Sequence, residues 1–575
     1  MLATLLVWLY TFFLCYVYGV LFLKLLRADL PASPLIVIAG LVGLTTLASF
    51  FSLFFQIGLL LNLLLLAGAI GAVLTRNVPA PRIGRPVSWI PLIVLFLALL
   101  LVLENATHRP LNPDTNIYHA QAIHWIESFP AVPGLGNLHG RLAYNSAWFV
   151  GNALFSLAFL GFGSFHLTGS VLFLSVLLYC WGGFGDILRG EYKPSALLKL
   201  FVFPLTFALL GADISSPGTD LPASLLLWLM AVLWTEHTEQ EQPFHPLLIV
   251  ILAAFVVTVK LSAAPALLFI PIVLYAAHRP GVLSVEYTKG GEQSSGSLGI
   301  GAIIARRMSG RNAVPTYGGL VICATLVVFP FVARNVILSG YLLYPFPSID
   351  LFRGNAVDWK VSLERVIAER ESILAWGRFP RLEAARVLAM PLGEWLPKWL
   401  AAQTLNRRLI LAAALLSPLA ALPGLRLTRR YWLGWLVFFA GTLFWLFSAP
   451  DFRFGYGFLI GTILLALAPW LALLLKYIPV SPAKVSALIS LAIAAYLTLA
   501  LVTSFEARTF AGRLLLPADY DRVPTQSCAL ANGTVSCAKA YDACSYNAFP
   551  CVPSPRPKVE LRNPPDLRDG FRAAP

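Results

Sequence analysis

Apolar residues in this chain fall into long unbroken runs, not into the alternating or every-third-residue patterns of half-buried strands and helices. Fourteen runs stand out: 3–23, 34–53, 56–75, 88–103, 165–186, 195–211, 221–235, 245–259, 262–278, 316–337, 408–424, 431–448, 456–475 and 485–503. Most approach the roughly 20 residues an α-helix needs to cross the hydrocarbon of a bilayer. The pattern predicts an all-α, polytopic transmembrane bundle of about 14 spans. Six segments follow: N-terminal spans over 1–103, a first large loop over 104–164 with helices lying along the membrane, central spans over 165–337, a second large loop over 338–407, C-terminal spans over 408–503, and a tail over 504–575.

Composition sharpens the picture. Hydrophobic residues make up 58% of the 575 residues and charged residues 12%, against about 25% charged in an average soluble domain. The net charge of +14 does not point to nucleic acid, because Lys and Arg cluster in short segments between apolar runs and no basic domain interleaved with aromatics stands outside them. The expected partner is a lipid bilayer. Positive residues mark the cytoplasmic side: Arg76, Arg82 and Arg85; Arg279, Lys289, Arg306, Arg307 and Arg311; Arg426, Arg429 and Arg430; Lys476 and Lys484. Both termini and the three long polar regions then face outward. Met1–Phe22 has no basic leader and no small-residue cleavage site, so it reads as the first span and not as a signal peptide. Residues 147–163 are apolar enough to cross, but a crossing there would break the charge parity. They are expected to form an interfacial or re-entrant helix. The Gly/Ser-rich stretch 279–315 reads as a flexible cytoplasmic linker.

Cysteines divide by context. Cys15, Cys180 and Cys323 sit singly in apolar runs, where packing is the ordinary role. Cys528, Cys537, Cys544 and Cys551 crowd a short polar tail, which suggests disulfides on an oxidising side. Four cysteines allow three connectivities. Pairing of neighbours, Cys528 with Cys537 and Cys544 with Cys551, is the preferred one. A zinc site is less favoured, since no CxxC pair occurs.

The richest chemistry lies in 112–149. Asp114 opens a segment whose Tyr118, Ala122, Trp125 and Phe129 form an apolar stripe, suited to a helix on the membrane surface. Asp114, Tyr118 and Gln121 share a neighbouring face, and His119, His124 and Glu127 add titratable groups. The turn VPGLGNLHG returns His139 and Arg141 toward the membrane. Asp114 suits either a catalytic carboxylate or a helix N-cap, although Thr115 would also cap. The three histidines show no metal-ligand spacing such as HExxH, so no cofactor is named, and a divalent metal is compatible with the sequence. Asp213 precedes SSPGTDLP (215–222) and Asp220 lies within it, a stretch that suits a capped turn as well as a cavity wall. Lys260 interrupts an apolar stretch, a costly placement that marks functional candidates. With Arg334 and Arg453 it would bind phosphate.

Two resemblances bear on these residues. RNVILSGYLLYPFPSIDLF (334–352), VDWKV (357–361), SSPGTDLP, VPGLGNLHGRLAYNS, PDFRFGYGF and the tail motif RNPPDLRDGF (562–571) look like a poorly characterised family of large bacterial membrane proteins, known as a domain of unknown function. That resemblance implies no activity. The layout also resembles the GT-C superfamily of glycosyltransferases, which take a sugar from a polyprenyl-phosphate carrier and hold an essential acid early in the first large outer loop. Asp114 matches that position, and 117–128 and 147–163 match its juxtamembrane helices. The chain departs in having Thr115 where a second acid is usual, and in placing three spans before the span that enters the loop. The resemblance implies an inverting transfer onto a glycan, lipid or protein acceptor in cell-envelope assembly, at the outer face of a bacterial cytoplasmic (inner) membrane. Asp114 would be the base; Lys260, Arg334 and Arg453 would stabilise the leaving phosphate; Tyr118, His119, His139, Arg141 and Asp220 would line the substrate. The alternatives are a polymerase or ligase of lipid-linked glycans that relies on arginines, and a transporter or flippase.

Overall fold

A computed structural model describes residues 1–81, 89–240, 244–278, 317–352, 356–424, 431–539, 543–553 and 558–574. The residues expected to mark the cytoplasmic side, Arg82, Arg85, Arg279, Lys289, Arg306, Arg307, Arg311, Arg426, Arg429 and Arg430, and the expected linker 279–315, lie outside the described residues.

Each apolar run contains a helix. The first four are α1 (Leu2–Leu25), α2 (Ser33–Phe51), α3 (Leu59–Leu74) and α4 (Trp89–Ala106). After the first large loop, with α5 (Ala120–Ser128) and α6 (Ala147–Phe155), come α7 (Thr168–Cys180), α8 (Gly182–Leu188), α9 (Pro194–Leu210), α10 (Asp220–Gln240), α11 (Phe244–Val259), α12 (Phe269–His278) and α13 (Tyr317–Ser339). The second large loop folds into α14 (Leu363–Arg378) and α15 (Leu392–Ala402), with one short helix between them. The chain then continues through α16 (Leu405–Gly424), α17 (Tyr431–Phe447), α18 (Phe452–Tyr477) and α19 (Pro482–Ser504).

Among the described residues, eight helices are long and apolar enough to cross a membrane: α1, α2, α4, α7 joined with α8, α9, α13, α18 and α19. The expected fourteen spans therefore become eight by this measure. The reasons are local. α3 and α11 have only 16 residues each, about 24 Å at 1.5 Å per residue. The run 262–278 begins as a 3₁₀ segment around Pro265, while α10 carries Glu236 and Glu239 near its end. Leu59, Leu60, Leu63 and Leu64 on α3 and Leu488, Leu491, Leu499 and Val502 on α19 are exposed. Contiguous apolar surface of this kind suits lipid and not water. Inside, small residues let backbones touch: a Cβ at Gly40 would lie 1.7 Å from the Cys15 carbonyl oxygen, which fixes α1 against α2.

Hydrogen bonds sort the helix ends. The Met1 amino group donates to the Arg513 carbonyl, and Arg513 pairs with Glu104 at 2.7 Å. The start of α1 and the ends of α4 and α19 thus meet at one end of the bundle, the end that carries both large loops. At the opposite end Lys24 donates to the Asn77 carbonyl and Ser195 to Glu239. Residues 147–163 hold no helix long enough by itself to cross a membrane. α6 has nine residues, all buried, about 14 Å of helix. Ser146 before it donates to the Val259 carbonyl at the loop end, and Phe165 after it donates to the Ser156 carbonyl.

The all-α expectation fails in the tail. Strands β1 (Thr525–Ala529), β2 (Thr534–Ala538) and β3 (Cys551–Val552) form one sheet, and β4 (Val559–Leu561) pairs antiparallel with β5 (Phe571–Ala573). TQSCA and TVSCA are short and polar, and an Asn-Gly step at 532–533 favours a hairpin. Disulfides join Cys528 to Cys537 and Cys544 to Cys551. The tail closes on the VPGLGN turn: Phe571 donates to the Pro133 carbonyl at 2.9 Å. Beside it Gly570 has φ +85°, and a Cβ there would lie 1.9 Å from the Pro133 oxygen.

Candidate functional site

The segment after α4 turns at Asn112, whose backbone N–H donates to Ser216 Oγ at 3.0 Å and whose amide donates to Asp213 at 2.8 Å. This ties the first large loop to SSPGTDLP. Asn112 Oδ1 in turn accepts from the Asp114 backbone N–H at 3.0 Å. A single π-helical turn, Thr115–His119, follows, and the Asp114 side chain makes no capping hydrogen bond to it. π-Turns recur at functional sites because the extra residue re-aims side chains. The Asp114 carboxylate faces Arg453, at 3.4 Å.

Arg453 comes from the first turn of α18. Its guanidinium also lies 3.6 Å from Asp451, which caps α18 by accepting from the Arg453 backbone N–H. Asp220 at the start of α10 pairs with Lys260, which follows α11. The Lys260 ammonium sits 3.9 Å from the Phe454 ring centroid. Asp220, Lys260 and Arg453 line one small pocket with Ser224 and Phe454. Tyr118 packs edge-on against His119, Tyr144 and Phe149. His119 is buried, which pushes its pKa down to about 4 against the opposing charges of Asp114 and Asp220. It is neutral near pH 7, and its Nδ1 has no hydrogen-bond partner among the described residues. Burial, with Asp114 and Asp220 next, pushes the Tyr118 hydroxyl pKa well up.

The structure therefore gathers Asp114, Tyr118, His119, Asp220, Lys260 and Arg453. Arg141, on a 3₁₀ turn beside them, is near enough for its charge to act on Tyr118. His139 opens that same turn. Arg334 stands apart: it bonds Ser52 and Asn145 and lines a different pocket. The expected trio of Lys260, Arg334 and Arg453 is thus two bases in one pocket and one in another. Among the described residues, no three His, Cys, Asp or Glu side chains converge as a metal site.

Other groups carry the tail. Gln121 donates to the Ser545 and Ala548 carbonyls at 2.8 and 2.7 Å and accepts from the Cys551 N–H. His124 stacks between Tyr546 and Phe549. The Asn116 carbonyl, inside the π-turn, accepts from the Cys544 and Ser545 backbones. The disulfide-closed loop 544–551 therefore braces the turn that follows Asp114.

The chain matches the model of one protein family, over residues 1–285 and 299–460. It belongs to the family described as Domain of unknown function (DUF8201). No curated protein matches it, nor does any solved structure. The DUF8201 match takes in every member of the cluster and stops before α19 and the disulfide-bonded tail, so the tail motif 562–571 lies beyond it.

Glu127 gives the tail a pH dependence. It accepts from Tyr546 at 2.5 Å and Ser164 at 3.0 Å, and burial raises its pKa from 4.5 to about 7. The docked state holds the proton more tightly than the free carboxyl does. Docking is therefore strongest below about pH 4.5, weakens as pH rises toward 7, and changes no further above that. Hydrogen exchange at 544–552, corrected for intrinsic rates, should show opening rise by up to about two orders of magnitude across that window. Glu127→Gln should flatten the dependence; an unchanged dependence in that variant would remove Glu127 as its source.

Proposed function

We propose that this protein is a membrane glycosyltransferase that moves a sugar from a polyprenyl-phosphate-linked donor to an acceptor hydroxyl. The observation that carries the reading is the Asp114 carboxylate. It is free of any capping role and stands 3.4 Å from Arg453, on the same end of the bundle as the Asp220–Lys260 pair. Asp114 takes the proton from the acceptor hydroxyl as that oxygen attacks the anomeric carbon. The bond from that carbon to the phosphate oxygen breaks, and its electron pair leaves with the phosphate. Arg453 exchanges part of its contact with Asp114 for the incoming phosphate, which frees the base. Lys260 and Arg141 add positive charge where negative charge develops. Neutral His119 and Tyr118 form the wall, with His139 at the rim.

The charge bias of the loops supports an outward-facing site, with both termini on that side. Reporter fusions after residues 300 and 540 should read inside and outside respectively; an inside signal at 540 would reverse the orientation.

Arg453→Gln should raise the donor KM at least about tenfold, the loss of one charge-assisted contact, with the protein still folded. Unchanged donor kinetics would take Arg453 out of the donor site. Retained transfer in Asp114→Asn together with loss in Arg453→Gln would favour the arginine-dependent ligase.

A further inference from the structure

The π-turn after Asp114 has its cause outside the turn. Its residues, Thr115–His119, include neither Gly nor Pro. An ordinary α-helix would bond the Ala120 N–H to the Asn116 carbonyl, four residues back. Here the Ala120 N–H goes one residue further, to the Thr115 carbonyl. The Asn116 carbonyl is occupied: it accepts from the backbone N–H groups of Cys544 and Ser545, both at 2.8 Å. Two donors fill the two lone pairs of a carbonyl oxygen. The tail has taken the acceptor that the α register needs, and the π register is what remains.

A few bonds hold the tail in that place. Cys544 is both a donor to Asn116 and one end of the Cys544–Cys551 disulfide. Gln121, 1% exposed, reaches across the same loop: its amide donates to the Ser545 and Ala548 carbonyls, and its Oε1 accepts from the Cys551 N–H at 3.0 Å. The Asn116 amide donates to Asp521 at 2.8 Å, which also pairs with Arg109. With loop 544–551 lifted, the Asn116 carbonyl is free and the Ala120 N–H can bond it. Removing the extra residue of the turn rotates the chain before it by about 100° relative to α5, since an α-helix turns once in 3.6 residues. Asn112 is anchored to Ser216 and Asp213, so the change falls on the stretch between, which holds Asp114. It takes the carboxylate away from Arg453, which it faces at 3.4 Å.

We propose that the disulfide-closed loop 544–551 positions Asp114 for transfer. By occupying the Asn116 carbonyl it sets the π register that aims the carboxylate at Arg453, and Gln121 is the positioning residue that holds the loop. The bearing on transfer rests on Asp114 being the base; the register does not.

The test uses the full-length protein in lipid nanodiscs. Cys544→Ser/Cys551→Ser opens the loop, and Gln121→Leu removes its side-chain ties with both disulfides intact. Each should lower kcat at least about tenfold, since a misplacement of about 1 Å costs up to about 100-fold. Donor KM should stay within about twofold, because Arg453 and Lys260 are untouched. In an Asp114→Asn background the same changes should cost less than about twofold further, as coupled residues are not additive. A change that only weakened the fold would cost as much in both backgrounds. Cys528→Ser/Cys537→Ser, which opens the β1–β2 hairpin, should transfer at the native rate. Electron cryomicroscopy of the two loop variants should show the Ala120 N–H on the Asn116 carbonyl, a readout that needs no donor or acceptor. An unchanged π-turn in both would overturn the proposal. So would an α register with native kcat, full additivity with Asp114→Asn, or an equal loss in Cys528→Ser/Cys537→Ser. If the α register appears and no protein of the series, native included, transfers sugar, the loop still sets the register and the glycosyltransferase reading falls.

Discussion

Asp114→Asn is expected to lower glycosyl transfer by about 10²–10⁴-fold, the usual contribution of a general base, with normal expression and membrane insertion. Asn keeps the size of the side chain and most of its hydrogen bonding and removes only the base. Asn is also a good N-cap, so a capping Asp would tolerate the change. The local geometry makes tolerance the less expected result, since the carboxylate makes no cap and points at Arg453. Full transfer activity in the variant would show that Asp114 is not the base.

Glu236→Gln is expected to destabilise the protein by about 3–5 kcal/mol, the scale for breaking a buried ion pair from one side. Glu236 on α10 accepts from Tyr179 on α7 and pairs with Lys199 on α9 at 2.5 Å, and both partners of the pair are buried. His245 on α11 lies 3.7 Å away. The substitution leaves the buried Lys199 ammonium without its paired carboxylate. Adding Lys199→Met should recover much of the loss, because replacing a whole buried pair with apolar groups is often neutral. Apparent thermal midpoints of the two variants in detergent measure this; equal midpoints for the single variant and native protein would contradict it. Glu236 follows Asp220 on the same helix by 236 − 220 = 16 residues, about 24 Å. Transfer per folded molecule should therefore be unchanged.

The helices were legible because lipid dictates length and composition at once, leaving apolar runs that no soluble fold requires. The tail was not. Its strands are short and polar, and the Asn532–Gly533 hairpin step was the only local sign of them. Lys199 was legible in principle, as a lone charge in an apolar run, whereas Glu236 opens the polar stretch after the run 221–235, and neither implies the other until α7, α9, α10 and α11 are packed. The site was legible by residue type more than by arrangement. Asp114 and Arg453 are 339 positions apart, and nothing in either neighbourhood predicts their contact. Arg334 shows the limit most plainly. Its place near a helix end puts it level with Lys260 and Arg453, but a helix end does not say which face the side chain takes. That face turned it to Ser52 and Asn145.

The most direct measurement is turnover by the purified protein in lipid nanodiscs, supplied with a panel of polyprenyl-phosphate-linked sugars and candidate acceptors. The account predicts that native protein transfers sugar and releases the lipid phosphate from at least one donor, and that Asp114→Asn does so at least about 100-fold more slowly. Lipid phosphate release at equal rates by both proteins, or by neither across the panel, would contradict it.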